Sequence, residues 1–485
     1  MTEHSHGSPV LDAIRDNAKT RPGAVVLRFK RLGRWQEVSA ASLASQVATY
    51  TAAMRAAGIT PGADVVVLGD NSIEWVYADL ALQALGARSA PLPASAPDEL
   101  VRRVVAERAD ARVIAARHED VRTCDALGIP NVLVLDPRGV RRDPGAGVVV
   151  LPPIGEDSGA TLEPAEPAEW SEVDDDGVAI TVRLPELSSG LKTLQSQMTL
   201  SSRDRTVVVS PLFDLTARIA EVYAPLVAGA VVHVPETAES VPEDFAEVRP
   251  TVLAADARVI EALHLRSQRE YLRSGRLSRW TIDWGFNSYA SASRSARWSL
   301  RRLVTHGVAV QHGFDALRLV LVTGHHPTSA SIRFFEALGA EVCVGEGAGK
   351  ATAVEALVRE SPYVKRAILS EGDGNRITLE LHGDLVSAWA RRQGVDHPNL
   401  ASLCRSPEIR ALVAGDAIVG AVEQEFGVSA PDFRILPGAL RAEHGELTIR
   451  GFATADASRQ RPDGARGTRA DPDASVPKPV GERIV

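Results

Sequence analysis

The stretch PGADVVVLGDNSIEWVYADLALQALGARSAPL, residues 61–92, decides the fold. ADVVVLG (63–69) is a short β-rich apolar run, the pattern of a strand buried on both faces. SIEWVYADLALQALG (72–86) then has helical periodicity, with Trp75, Leu80, Leu82 and Leu85 expected on one face and Gly86 suited to end the helix. The same alternation continues outward. DELVRRVVAERA reads as a helix between the strands ARVIAAR and NVLVLD, which implies a largely parallel sheet covered by helices. Residues 138–176 interrupt it with Pro-, Gly- and acid-rich segments (DPRGVRRDPGAG, EPAEPAEWSEVDDD), read as an exposed connection.

A second α/β block follows from about 177 to 345, with strands RTVVVSP and LRLVLVTG. A third unit, about 350 to 450, carries KRAILSEG, RITLELHG, FRILPGAL and ELTIRG. The end, from Ala453 to Val485, has almost nothing apolar to bury and is expected to be disordered. No internal repeat is found. The reading is therefore an α/β protein: a large N-terminal region, 1–345, of two layered α/β subdomains (1–176 and 177–345), a small α+β domain at 346–452, and a tail at 453–485.

At 485 residues and 45% hydrophobic content, the chain has ample material for several cores. Its formal charge of −8, with basic residues scattered among acids, argues against nucleic acid as a partner. Cys124, Cys343 and Cys404 are widely spaced, which suggests neither disulfides nor a zinc site. The polar N-terminus does not look like a signal peptide. The most apolar stretch, Thr206 to Val234, is broken by Asp214, Arg218 and Glu221, so no transmembrane segment is expected. A cytoplasmic protein is the expectation, with contact at a membrane periphery left open.

Several of these stretches together resemble one family. Residues 61–92, DRTVVVSPLFDLTARIAEVYAPLVAGA (204–230), VRPTVLAADARVIEAL (248–263), DALRLVLVTGHHPTSASIRFFEALGAEV (315–342), VEALVRESPYVKRAILSEGDGNRITLEL (354–381) and DFRILPGALRAEHGELT (432–448) are similar, in order, to adenylate-forming acyl-CoA synthetases of the bacterial long-chain fatty acid–CoA ligase type. That resemblance implies two steps: a carboxylate attacks Mg-ATP to form an acyl-adenylate, and a rotating C-terminal domain then lets the CoA thiol take the acyl group.

The residues those steps need are eroded. LSSGLKTLQ (187–195) stands where the family has a T-S-G-T-T-G-x-P-K-G phosphate loop; Ser188, Ser189, Gly190 and Lys192 match, while Pro185, Glu186 and Leu187 replace T-S-G and Thr193 the last glycine. Too few glycines remain for backbone N–H groups to close round a phosphate, and an ordinary polar surface loop is the expectation. The adenine signature G-Y-G-x-T-E falls on Gly345, Glu346, Gly347, Ala348, Gly349 and Lys350, without the stacking aromatic and with a cation in place of the Mg²⁺-binding acid. Alternatively, residues 347–350 match the hinge G-G-K and the adenine signature is deleted. The ribose-binding T-G-D is missing.

After GELT (445–448), Arg450 stands nearest the adenylating lysine's place, and Lys478 lies in the tail. Arg218 matches the arginine of the family's L-P-L-A-H-V-F-E-R, with Asp214 for histidine and Thr216 for the aromatic. His325 and His326 read as a surface or partly buried pair without a third metal ligand, and Trp280, Trp284 and Phe286 as core. The remnant catalytic candidates are thus Lys192, Arg218 and Arg450, the remnant nucleotide-binding candidates Ser188, Ser189, Gly190, Lys192, Gly345 and Gly347, and no metal is expected. The reading is a long-chain fatty acid–CoA ligase-like pseudoenzyme that binds a fatty acyl ligand, acyl-CoA or a protein partner such as an active paralogue. The alternative is an active synthetase using ATP, Mg and CoA.

Overall fold

The computed structural model describes residues 8–108, 112–129, 132–135, 148–155, 161–163, 169–173, 179–272, 306–345, 355–359, 361, 363–370, 376–414, 433–438 and 440. The expectations for Trp280, Trp284, Phe286, Gly347, Lys350, Arg450, Lys478 and the tail lie outside these residues. The chain divides into two compact units, one comprising 1–259, 306–321 and 338–343, the other 260–305, 322–337 and 344–485.

The first unit opens with α1 (Pro9–Thr20), β1 (Val25–Arg31), β2 (Arg34–Ser39) and α2 (Ala40–Ala56), followed by β3 (Asp64–Leu68), α3 (Ile73–Leu85) and β4 (Arg88–Leu92). Then come α4 (Asp98–Ala106), β5 (Arg112–Ala115), α5 (His118–Ala126) and the strands β6 (Val132–Val134), β7 (Val148–Val150), β8 (Glu169–Val173) and β9 (Ala179–Arg183). Seven of these strands form one sheet in the order β7-β6-β5-β3-β4-β8-β9. All its pairings are parallel except β8 with β9. The region read as an exposed connection therefore supplies two strands: Val148–Val150 extends the sheet beside β6, and Glu169–Val173 lies beside β4. Their flanking Pro, Gly and acid residues hid runs of three and five residues that a ready sheet edge can recruit.

The strand and helix of residues 63–86 form as read. Ser72 accepts the Trp75 N–H on its hydroxyl and starts α3; Gly86, at φ 69°, ends it in the left-handed conformation. Gly69 ends β3 at φ 150°, where an added Cβ would come within 2.2 Å of the Ala116 Cβ. The helix differs from expectation in one respect: every residue from Ile73 to Leu85 is buried, including Glu74, Asp79 and Gln83. A helix apolar nearly all round is covered on all sides, so its few polar residues must find partners inside.

After β9 come α6 (Leu184–Met198), β10 (Arg205–Val207), α7 (Leu215–Ala217), a π-helical turn (Arg218–Tyr223), α8 (Ala224–Ala228) and β11 (Val231–Val234). A second sheet has the order β10-β11-β1-β2, parallel except for the β1–β2 hairpin. Next follow α9 (Val241–Val248), β12 (Val252–Asp256) and α10 (Ala257–Leu272), and then β13 (Leu319–Thr323) and β14 (Glu341–Val344), which complete a third sheet in the order β12-β13-β14.

In the second unit, β15 (Val364–Ser370), β16 (Arg376–Leu381) and β17 (Phe433–Ile435) form a sheet in chain order, antiparallel and then parallel. Val358, Leu379, Val386, Leu403, Ile409 and Ile435 share its core with the helices Gly383–Gln393 and Pro407–Val413. This is an α+β arrangement with its own hydrophobic interior. Among the described residues no helix is long and apolar enough to cross a membrane.

Burial sets the expected ranking of substitutions in the first unit. Leu80→Ala, in the centre of α3 and wholly buried, should lower stability by about 2–5 kcal/mol. Leu32→Ala, at the 84% exposed tip of the β1–β2 hairpin, should change it by less than about 0.5 kcal/mol. Urea unfolding midpoints of the two variants check the contrast.

Candidate functional site

LSSGLKTLQ is not a loop. Strand β9 ends at Arg183 and α6 begins at Leu184, so no residue is left between them to close around a phosphate. Within α6, Leu187, Leu191 and Met198 are buried at spacings of four and seven, and Leu194 packs on the same side. Ser189 and Lys192 are exposed, Ser188 is half-buried, and a Cβ on Gly190 would meet the Ile219 Cδ1 at 3.7 Å. From Ser188 onward each backbone N–H faces a carbonyl four residues back and is not available to an anion. Glu186 occupies the first turn, where a negative charge suits the helix dipole and repels a phosphate.

Arg218 is placed very differently. The π-helical turn carries it into the interior, where Nη1 donates to Asp79 Oδ1 at 3.1 Å and the guanidinium lies 5.7 Å from the centre of the Trp75 ring. Asp79 Oδ2 accepts from the Tyr223 hydroxyl and, at 3.1 Å, from Gln83 Nε2. The Gln83 amide also reaches Tyr223 (2.7 Å), and its Oε1 accepts from the Ser8 hydroxyl ahead of α1 (3.0 Å). Five side chains from three parts of the first unit thus form one buried polar chain. Burial, with the Asp79 charge beside it, holds the Tyr223 hydroxyl well above its usual range.

Glu221, one turn on, faces the loop that leaves the carboxyl end of β10. It is 1% exposed. The Val209 and Ser210 N–H groups donate to its Oε2 at 2.6 and 3.1 Å, and the Ser210 hydroxyl also donates to the carboxylate. Asn71, at the carboxyl end of β3, holds the same loop from the other side: Nδ2 donates to the Ser210 carbonyl and Oδ1 accepts the Leu212 N–H, both at 2.8 Å. Asp214 closes the loop by capping the Ala217 N–H at 3.1 Å. Burial pushes the Glu221 carboxyl up to about 8 against the lowering effect of these donors. Ligands of open α/β sheets bind at the carboxyl ends of strands, and this loop marks that position in the first unit.

The other described candidates belong to the second unit. The Gly345 N–H bonds the Val322 carbonyl at 2.8 Å. His325 and His326 are partly buried, with His326 Nδ1 3.0 Å from the Pro327 carbonyl. Nearby, Glu261 accepts the Thr328 N–H and the Arg359 guanidinium. Among the described residues no group of three or more His, Cys, Asp or Glu could hold a metal ion. A cleft in the first unit beside Arg31, Ser72, Glu74, Arg117 and Glu236 has a volume of about 40 Å³, room for a few waters and far short of a nucleotide. Asp79, Gln83, Asn71 and Tyr223 were not singled out from sequence. Asp79 and Gln83, four apart in an otherwise apolar helix, were the available signal.

Arg218→Ala, leaving Asp79 buried without its cation, should cost about 3–5 kcal/mol, whereas Lys192→Ala should cost less than about 0.5 kcal/mol in the same denaturant titration. Stability should also have a maximum with pH. Burial lowers His233 and His264 from 6.5 to about 4, so the unfolded chain binds more protons and stability rises between those values. Glu221, raised from 4.5 to about 8, contributes stability below 4.5 that is lost as pH rises through 8. Between pH 6.5 and 8 only the fall remains, and a Glu221→Gln variant should be flat there by urea midpoint.

Residues 14–170 match the family model described as AMP-binding enzyme. The long-chain-fatty-acid–CoA ligase FadD15 of Mycobacterium bovis is 22% identical over 408 residues, covering 78% of this chain and 66% of the ligase, so the match spans just under two thirds of that relative. The adenylation domain of a carboxylic acid reductase from Segniliparus rugosus, solved with AMP and a co-purified carboxylic acid, superposes with a TM-score of 0.64 over 94% of this chain and 93% of that one, at 13% identity. The corresponding domain from Mycobacterium chelonae gives 0.66 over 93% and 89%, at 14% identity. Residues 14–170 are thus similar to AMP-binding enzymes, a longer stretch is similar to an acyl-CoA ligase, and the fold is shared with adenylation domains.

Proposed function

We propose that this chain is a long-chain acyl-CoA ligase-like protein that binds an acyl ligand without adenylating it. One observation carries the reading: the segment aligned with the phosphate loop is the interior of α6, joined to β9 with no intervening residue. Adenylation requires backbone N–H groups turned toward the β- and γ-phosphates, and a helix has already used them. The residues present do not fit a bound triphosphate, so no step is derived through ATP. Lys192, exposed on α6, and Arg218, paired with Asp79, are both unsuited to the phosphate role that the resemblance would give them.

The acyl part of the reading rests on kinship with a fatty acid–CoA ligase and on the carboxylic acid found in the Segniliparus rugosus domain. A carboxylic acid needs an apolar channel and a polar end, and neither depends on the phosphate loop. Division into an N-terminal region of two subdomains and a C-terminal domain from residue 346 belongs to the same proposal, as do an active paralogue as partner and a membrane periphery as location.

The purified chain is tested by thermal shift with fatty acids, acyl-CoA and non-hydrolysable acyl-adenylates, and by fatty acid-dependent ATP–pyrophosphate exchange. Acyl ligands should stabilise it whether or not adenosine is attached, by about 2.7 kcal/mol at a hundredfold excess over Kd. Exchange should stay at background. Acid-dependent exchange, or a shift that requires adenosine, would establish a working synthetase instead.

A further inference from the structure

The loop 208–214 is held from two sides by unlike groups. Asn71 is neutral at every accessible pH. Glu221 is a carboxyl with no contact with water, and the loop's Val209 and Ser210 amides converge on its Oε2. Oε1, 3.3 Å from the Ser210 N–H, is the oxygen left to carry a proton. The charged and titratable groups around it give ionised Glu221 no dedicated cation. Arg218, on the same helical turn, is bound to Asp79 of α3, and Tyr223 bonds that same aspartate. Asp214 caps α7 and adds a like charge. On β12, Asp256 is bound by Arg258. On α6, Glu186 and Lys192 are exposed residues, whereas Glu221 is buried.

We propose that Glu221 is a proton-operated latch: the loop 208–214 stays docked while the carboxyl is neutral and loosens when it ionises. The docked loop offers a buried carboxylate two amide donors and the Ser210 hydroxyl but no counter-charge. The desolvation of a fully buried charge outweighs these neutral donors, whereas an open loop lets water solvate it, so ionisation favours opening. The π-helical turn is the element that makes this possible. Its extra residue per turn brings Arg218 and Glu221 inward together, one to α3 and one to the loop, a local widening often met at functional sites. Because the loop lies at the carboxyl end of β10, its docking governs access to the place where this sheet architecture receives a ligand.

Hydrogen exchange read by mass spectrometry on peptides covering 208–214, corrected for the intrinsic pH dependence of exchange, tests the latch. In the wild-type chain, protection should fall at least tenfold between pH 5 and 9, since each unit of pKa difference between docked and open states is a factor of ten. Glu221→Gln keeps an acceptor and cannot ionise, so its protection should stay high and level across that range. Glu221→Ala removes the acceptor and should leave the loop unprotected at every pH. A level wild-type profile overturns the proposal. So does a wild-type fall that persists in Glu221→Gln, which decides the matter even where Glu221→Ala does not fold.

Discussion

The ion pair between Arg218 and Asp79 is the constraint on which the first unit rests. Both side chains are buried, so each charge would be untenable without the other. Asp79 sits in the middle of α3, the helix that follows the central strand β3, and Arg218 sits on the turn that follows the loop from β10. The pair therefore joins the seven-stranded sheet's helix to the helix serving the second sheet. Gln83, Tyr223 and Ser8 extend the pair and add the N-terminal helix to the same network. A buried pair of this kind adds less to net stability than an apolar contact of equal volume, but it permits only one register between the elements it joins.

That register has a local consequence. A π-helical turn is an unfavourable way to run a backbone, and it persists where side chains on it are over-determined. Here Arg218 is fixed by Asp79, Glu221 by two loop amides and Tyr223 by Asp79 and Gln83. Three anchors on one six-residue turn point in directions that an ordinary α-helical spacing would not satisfy together. The turn, the loop and the buried network are a single construction, in which Glu221 is held by neutral donors and Arg218 by a carboxylate.

How much of this the sequence discloses depends on how local the physics is. The β3 strand, the Ser72 cap and the Gly86 stop are set by neighbours within four residues, and they are legible. α6 misleads because its letters serve two codes. Ser188, Ser189, Gly190 and Lys192 are phosphate-loop residues by composition, yet Leu187, Leu191, Leu194 and Met198 give the same segment a buried helical stripe, and a preceding strand without a loop lets the helix win. The strands at 148–150 and 169–173 are hidden for the opposite reason: they are too short to carry a pattern and exist because a sheet edge is there to pair with. Arg218 could be picked out, but its role could not, because its partner lies 139 positions away.

The contrast between α6 and the π-helical turn lies in what holds each in place. A phosphate loop works through backbone groups left unpaired, which is a continuing cost to stability. In α6 those groups are paired along the helix and Leu187 and Leu191 are buried. In the Arg218 network, removing either charge leaves the other buried and alone. The two segments therefore differ in kind: the buried network is held by partners that cannot be removed singly, while α6 is held by backbone hydrogen bonds and an apolar stripe.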